Sequence, residues 1–386
     1  MFGQTVKNIL FVMKSLGIIT IHKINNYGSV LQAYALQEVC EKLGFRVEII
    51  DYLFPNSYHK NNPYKTSNDL RVSEPRWIKL LFAPALIRQH KGIADFVSNK
   101  LNLSERSYDS PDELDTEPPV YDVYITGSDQ LWSPRYCNGD PSFMLNFAPD
   151  KAKRISYASS IGTDCIPPDL ERNYISCLSR YDAISVREKS GIEIIKSLIN
   201  REVSEVLDPT LLLNRQDWAK VAIGKRLVKQ KYILCYFLNY TFNAFPYVDD
   251  LAADIQRQTG YKIIRVARPP HKLEGMNTGY KIGASPEEFI SLVRDAEIVL
   301  TTSFHGTAFA LNYGKPVFTV VKSANASDSR QANLMQNLNL SKQIVALGSP
   351  FPANKDAYYD VESEQKMLEQ LRLESMQFLI NSLCDE

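Results

Sequence analysis

Residues 297–312 read Glu-Ile-Val-Leu-Thr-Thr-Ser-Phe-His-Gly-Thr-Ala-Phe-Ala-Leu-Asn. An apolar run stops at Thr301, Thr302 and Ser303. His305 and Gly306 follow, and Thr307 to Leu311 then continue at helical spacing. This order predicts a buried strand, a tight loop and a helix. The chain opens the same way. A strand over 17–21 leads through a polar loop, 22–28, to a helix over 29–43 capped by Ser29 and ended by Gly44, and a strand over 46–51 follows. Such a unit commits its sheet to parallel pairing, because only a crossover brings the chain back to the same sheet edge. In parallel sheets ligands bind beyond the strand carboxyl ends, where the N–H groups and dipole of a helix N-terminus favour anions. A histidine there also moves protons near neutral pH. The expected class is α/β, acting on a phosphate- or carboxylate-bearing molecule.

The chain has 386 residues, too many for one ordinary core. Further strands are expected over 121–126, 154–158, 183–186 and 203–207, with helices near 168–180 and 188–199. Around 214–230 the pattern lapses into a basic stretch that reads as a linker. A second series then begins, with strands over 232–238, 262–266, 297–301 and 316–320 and helices near 247–259, 286–294 and 305–313. The domains expected are 13–220 and 221–360, with an amphipathic helix over 361–386 packing back on the first. Met13-Lys14 offers a second start point, with residues 1–12 as an upstream extension of poor order. Residues 52–75 read as a long loop.

Lys+Arg and Asp+Glu both number 44, so the formal charge is zero and a strong basic field for nucleic acid is absent. The six cysteines are scattered, with no Cys-x-x-Cys pair, so neither a zinc site nor a disulfide framework is expected. No apolar run reaches transmembrane length, and Lys14 and Ser15 interrupt the apolar start without a cleavage site. The expected location is the cytoplasm. Residues 76–91 are basic and amphipathic; they either lie on a membrane surface or cover the first domain, and Pro84 would kink the former.

Five stretches carry candidate chemistry. In the His305 loop, Thr302, Ser303, Gly306 and Thr307 supply hydroxyls and bare backbone for an anion; the alternative is a structural histidine. At 122–132 a strand ends in Gly127-Ser128-Asp129, where Asp129 is placed to work on a sugar hydroxyl and Trp132 to stack on a sugar face. The alternative is an Asx-turn beside a core tryptophan. Asn26, Tyr27, Gly28 and Gln32 open the first helix, suiting either hydroxyl recognition or ordinary turn chemistry. Arg187 ends a strand and either forks onto an anion or pairs with Glu188. Asp328-Ser329-Arg330 opens a helix near 331–338 and either delivers a guanidinium or caps the helix.

Taken in order, Asn25-Asn-Tyr-Gly-Ser-Val-Leu-Gln-Ala-Tyr-Ala-Leu-Gln37, Gly127-Ser-Asp-Gln-Leu-Trp132, Ser185-Val-Arg-Glu188, Asp208-Pro-Thr210, Ser303-Phe-His-Gly306 with Gly314-Lys-Pro316, and Asp328-Ser-Arg330 resemble the polysaccharide pyruvyl transferase family. The resemblance runs from about Gly17 to Leu340. It implies two Rossmann-like domains facing a cleft, similar to GT-B glycosyltransferases. It implies transfer of pyruvate from phosphoenolpyruvate to a saccharide as a cyclic ketal, on a lipid-linked or polymeric acceptor near the inner membrane face, with no cofactor or metal. His305, Asp129 and Arg187 would be catalytic. Thr302, Ser303, Gly306, Thr307, Ser329 and Arg330 would bind the donor, and Asn26, Tyr27, Gly28, Gln32 and Trp132 the acceptor. Some family members carry Arg-Leu-His-Gly where this chain has Ser303-Phe-His-Gly306, so Arg330, Arg265 or Arg268 would replace that arginine. Two alternatives share these residues: a nucleotide-sugar glycosyltransferase of the same architecture, and a non-catalytic sugar-binding component of an assembly complex.

Overall fold

The computed structural model describes residues 13–65, 74–238, 242–323 and 330–384. The proposed upstream extension, 1–12, and Ser329 lie outside them.

Two parallel sheets form the frame. The first uses β1 (Ser15–Ile19), β2 (Arg46–Tyr52), β3 (Leu103–Tyr108), β4 (Val123–Thr126) and β5 (Lys153–Ser156), in the order β3-β2-β1-β4-β5. A short parallel pair, β6 (Ser185–Val186) and β7 (Ser204–Glu205), extends it through single bridges from Ala183 to Ile155 and from Val186 to Ser159. The second sheet uses β8 (Tyr232–Tyr236), β9 (Lys262–Val266), β10 (Thr278–Lys281), β11 (Ile298–Thr301), β12 (Val317–Val321) and β13 (Ile344–Ala346), in the order β10-β9-β8-β11-β12-β13. In each sheet the order reverses beside the first strand, between β1 and β4 and between β8 and β11. Those reversals open a crevice at the strand carboxyl ends.

The central strands are buried throughout and mostly apolar because helices cover both faces, and this makes them legible. Strands β3, β10 and β13 were not expected. They lie at or near sheet edges, and Leu-Ser-Glu-Arg-Ser-Tyr or Thr-Gly-Tyr-Lys offers no apolar run to detect. The first helix is Tyr27–Lys42. Asn26 caps it, accepting from the Gly28 N–H at 2.9 Å, so Ser29 is released for another partner. The expected linker contains a helix, Arg215–Val221, with a capping box between Asn214 and Asp217 and a fully buried Trp218.

The two halves share one core. Tyr27 stacks on Phe289 at 4.7 Å between ring centroids, and its hydroxyl donates to the Ala284 carbonyl at 2.6 Å. Trp218 meets Phe309 edge-on at 4.9 Å, and the Asn312 amide donates to Thr210 and Leu213 carbonyls. The C-terminal helix, Val361–Leu383, seals the seam: Arg372 donates to the Leu211 carbonyl, Ser375 Oγ accepts from the Leu207 N–H, and Gln365 reaches the Leu311 carbonyl. Residues 76–91 form two successive helices, Arg76–Leu81 and Ala83–Lys100, with Pro84 in the first turn of the second, where its missing N–H costs nothing. Gln89, Ile93, Phe96 and Val97 pack inward, and Arg88 forks onto Glu288 in the other half at 2.8 Å. No described helix is long and apolar enough to cross a membrane.

Glu364, buried in the first turn of the C-terminal helix, has its carboxyl pushed up to about 7, mainly by burial, with Gln365 and Arg372 opposing. A raised carboxyl costs stability as pH rises, since the unfolded chain ionises from about 4.5 while the folded one holds its proton to about 7. The Glu364→Gln variant should therefore melt like the wild type at the acid end of that window and above it at slightly alkaline pH, by at most roughly 3 kcal/mol. Parallel thermal melts at the two ends of the window measure this, and equal curves at both would show that the carboxyl is solvated.

Candidate functional site

Six segments converge on the crevice. Arg187 follows β6 and is fixed by Asp208, whose Oδ2 accepts from Nη1 at 2.8 Å. Asp208 is held in turn: its Oδ1 accepts from the Thr210 N–H at 3.0 Å and hydroxyl at 2.7 Å, and its Oδ2 accepts from Ser128 Oγ at 2.8 Å. His305 Nε2 lies 3.6 Å from the same Oδ2. Asp129 Oδ1 lies 3.7 Å from Arg187 Nη2, while Asp129 Oδ2 accepts from Ser29 Oγ at 2.5 Å. The Phe304 ring lies beneath the Arg187 guanidinium, 4.5 Å from centroid to Cζ, with Arg330 at 6.0 Å. Arg330 also donates to Gln130 Oε1 at 3.2 Å.

Two backbone features make this closeness possible. A Cβ on Gly28 would lie 1.9 Å from His305 Nδ1, so the helix N-terminus abuts the imidazole only because residue 28 is glycine. Asp129 has φ of 86°, a conformation rarely adopted by non-glycine residues and often found where structure serves function. The turn swings its carboxylate toward Arg187.

The electrostatics follow from burial. Burial alone would raise the Asp208 carboxyl, but His305, Arg187 and the Thr210 N–H overcome it and hold it well below the usual range. Asp129 is also depressed: burial opposes ionisation, and Arg187, His305 and the Ser29 hydroxyl outweigh it. Arg330 is lowered by burial and by the Arg187 charge. A second cation in a desolvated place favours a further anion between the two. Arg187 Nε and Nη2 and His305 Nε2 are buried without a hydrogen-bond partner. Among the described residues no group of three or more His, Cys, Asp or Glu side chains is placed to hold a metal ion.

The model of a protein family, polysaccharide pyruvyl transferase, matches residues 26–322. The chain belongs to the polysaccharide pyruvyl transferase family. Asp129, Arg187, Asp208 and His305 lie inside the matched span, and Arg330 lies beyond it. Among solved structures, one titled putative UDP-N-acetylglucosamine 2-epimerase from Listeria monocytogenes superposes with a TM-score of 0.50 at 9% identity, over 96% of this chain and 91% of that one. Arabidopsis thaliana UGT89C1 complexed with UDP gives 0.46 at 12% identity, with 94% of each chain covered. Spinosyn forosaminyltransferase SpnP gives 0.47 at 11% identity, with 95% of each covered. No curated protein matches the sequence. The fold is α/β, two Rossmann-like domains facing a cleft in the GT-B manner.

In this pyruvyl transferase family member, His305, Asp129, Arg187, Arg330 and Gly28 come together, and several expected residues do not. Trp132 is buried in the first half, its indole N–H donating to the Phe143 carbonyl at 3.0 Å, so it offers no stacking face; an apolar pocket outcompetes solvent for so large a ring. Gln32 spends its amide on Thr20 Oγ1 and the Ser29 carbonyl, bracing the loop. Tyr27 belongs to the seam between halves and Asn26 is a cap. The hydroxyls near His305 serve the backbone: Thr302 bridges to Leu238, Ser303 caps its helix through the Gly306 N–H, and Thr307 bonds the Ser303 carbonyl and Thr319. Gly306 is needed for packing, since a Cβ there would meet Thr301 Oγ1 at 2.3 Å. Arg265 is locked between Asp249 and Glu274, and Arg268 faces Glu74. Of the three, Arg330 is the one that reaches the Phe304 ring and Gln130 at the crevice.

Sequence reasoning gave no role to Asp208, Ser128 or Phe304. The signal for Asp208 was present, an acid closing a strand beside Pro209, yet a one-residue reading makes it a helix cap, which it also is. Because Asp208 neutralises a buried guanidinium, Asp208→Ala should cost about 3–5 kcal/mol, the penalty for stranding one member of a buried pair. Urea denaturation of the variant measures this; a loss under about 1 kcal/mol would mean that water reaches Arg187.

Proposed function

We propose that this chain transfers pyruvate from phosphoenolpyruvate to a lipid-linked or polymeric saccharide, forming a cyclic ketal and releasing phosphate. The observation that carries the reading is the unused donor capacity of Arg187 and His305, buried beside two ionised carboxylates. Unpaired buried donors call for an acceptor, and phosphoenolpyruvate supplies both a phosphate and a carboxylate. The family supports the acceptor class.

In the scheme, Arg187 and Arg330 hold the donor anion. His305 delivers a proton from Nε2, which lies 3.6 Å from Asp208 Oδ2, to the methylene carbon of the enol phosphate. A sugar hydroxyl attacks the adjacent carbon as positive charge develops there, and its proton passes to Asp129. Asp129 is a weak base, held ionised by Arg187, so it accepts the proton only as bond formation acidifies the hydroxyl. A second hydroxyl then displaces phosphate and closes the ketal ring, its proton leaving with the phosphate.

His305→Ala should abolish phosphate release from phosphoenolpyruvate in the presence of saccharide acceptors, with the melting temperature retained. Turnover equal to the wild type would sink the mechanism. A panel of phosphoenolpyruvate and nucleotide sugars in thermal-shift assays tests the donor, and stabilisation by a nucleotide sugar alone would replace pyruvyl transfer with glycosyl transfer. Gly28→Ala should lower kcat by at least about tenfold, at a stability cost of about 1–3 kcal/mol, since the methyl group displaces the buried imidazole by an ångström or so. Unchanged kcat would show that the ring position is not critical.

A further inference from the structure

The helices Arg76–Leu81 and Ala83–Lys100 meet at Phe82, whose N–H donates to the Ile78 carbonyl and whose carbonyl accepts from the Leu86 N–H, so helical bonds span the joint although Pro84 supplies no donor. One helical wheel therefore describes the whole segment. Ile78, Gln89, Ile93, Phe96 and Val97 face the protein and are buried. On another side Trp77, Leu80, Leu81 and Ile87 are 54, 76, 56 and 69% exposed, and Pro84 lies among them, also exposed. The spacing i, i+3, i+4, i+7, i+10 confines these five to an arc of about 120° at 100° per residue. A helix that is apolar on its packed side needs no second apolar stripe; one left open to solvent marks a contact surface.

Charge decides the partner. From Pro75 to Ala94 there is no aspartate or glutamate, while Arg76, Lys79, Arg88, His90 and Lys91 are all present and exposed. Arg88 is committed to Glu288 and Lys79 is 3.8 Å from Glu74. Arg76 borders the apolar arc, and Lys91 follows it one turn beyond Ile87. An apolar stripe with an indole, bordered by cations and meeting no acid of its own helices before Asp95, fits an anionic lipid surface: the side chains enter the acyl boundary and the cations meet phosphate headgroups.

We infer that this segment docks the protein onto an anionic bilayer, lying in the plane of the interface. The inference stands apart from the reaction proposed above. It does have a geometric consequence for the crevice. Gln89, on the inward face, donates to the Tyr27 hydroxyl at 2.9 Å and accepts from Asn25 at 3.1 Å. The loop that leads to Gly28 thus lies about one helix diameter, roughly 10 Å, from the bound surface.

The test is co-flotation of the full chain with phosphatidylcholine vesicles, with and without phosphatidylglycerol. The wild type should float with the anionic vesicles and stay with the soluble fraction when they are purely zwitterionic, and added salt should weaken the binding. Leu80→Ser with Leu81→Ser should reduce binding at least about tenfold, and Arg76→Glu with Lys91→Glu should abolish the preference for phosphatidylglycerol. All four positions are exposed, so melting temperatures should stay at the wild-type value. The inference fails if the wild type does not bind anionic vesicles, or if both variants bind as it does. It also fails if sedimentation velocity shows a wild-type dimer that the leucine variant dissolves, which would make the stripe a contact between two copies.

Discussion

The site depends on the buried pair between Arg187 and Asp208. A guanidinium that enters a protein interior must bring a counter-charge, and Asp208 is itself tied by Thr210 and Ser128 before it meets the arginine. That one carboxylate also faces His305 from the other sheet. Two elements from separate halves are thereby referred to a single fixed charge. The remaining groups are arranged around it: Asp129 balances the far side of Arg187, Phe304 supports the guanidinium from below, and Gly28 lets the first helix approach the imidazole.

What was legible in the sequence follows from which signals are local. Central strands such as β8 and β11 are buried at every position and largely apolar because both their faces are covered, so they stood out from polar surroundings. The helices Tyr247–Thr259 and Pro286–Arg294 announced themselves by periodicity and caps. The edge strands β3 and β10 did not, since their polar residues leave no continuous run, and β13 is only three residues long. His305, Arg187 and Asp129 could be found because each sits at a strand end. Asp208 could not be ranked above a cap, because its value lies in neighbours 80 and 97 residues away, Ser128 and His305. Trp132, Gln32 and the threonines misled for the complementary reason: aromatic and hydroxyl groups near a strand end are equally good at bracing the loop.

The positive φ at Asp129 belongs to this picture. Local chemistry would put glycine or asparagine there, and Gly127, two residues earlier, already supplies a flexible joint. An acid kept in that conformation is held by its partners, the Ser29 hydroxyl, the Gln130 N–H and Arg187, which together outweigh the strain.

The shared core has a consequence for how such a chain changes over generations. In proteins of two loosely joined modules, a half can be exchanged between lineages and tuned alone. Here Tyr27 lies flat on Phe289, Trp218 meets Phe309, and the C-terminal helix grips Leu207 and Leu211 on one side and Leu311 on the other. A half taken from another lineage would bring rings and carbonyls shaped to a different seam. Exchange of one half would thus require matched changes in the other, whereas substitutions on the edge strands and on the outer face of the surface helices would not have to be matched across the seam.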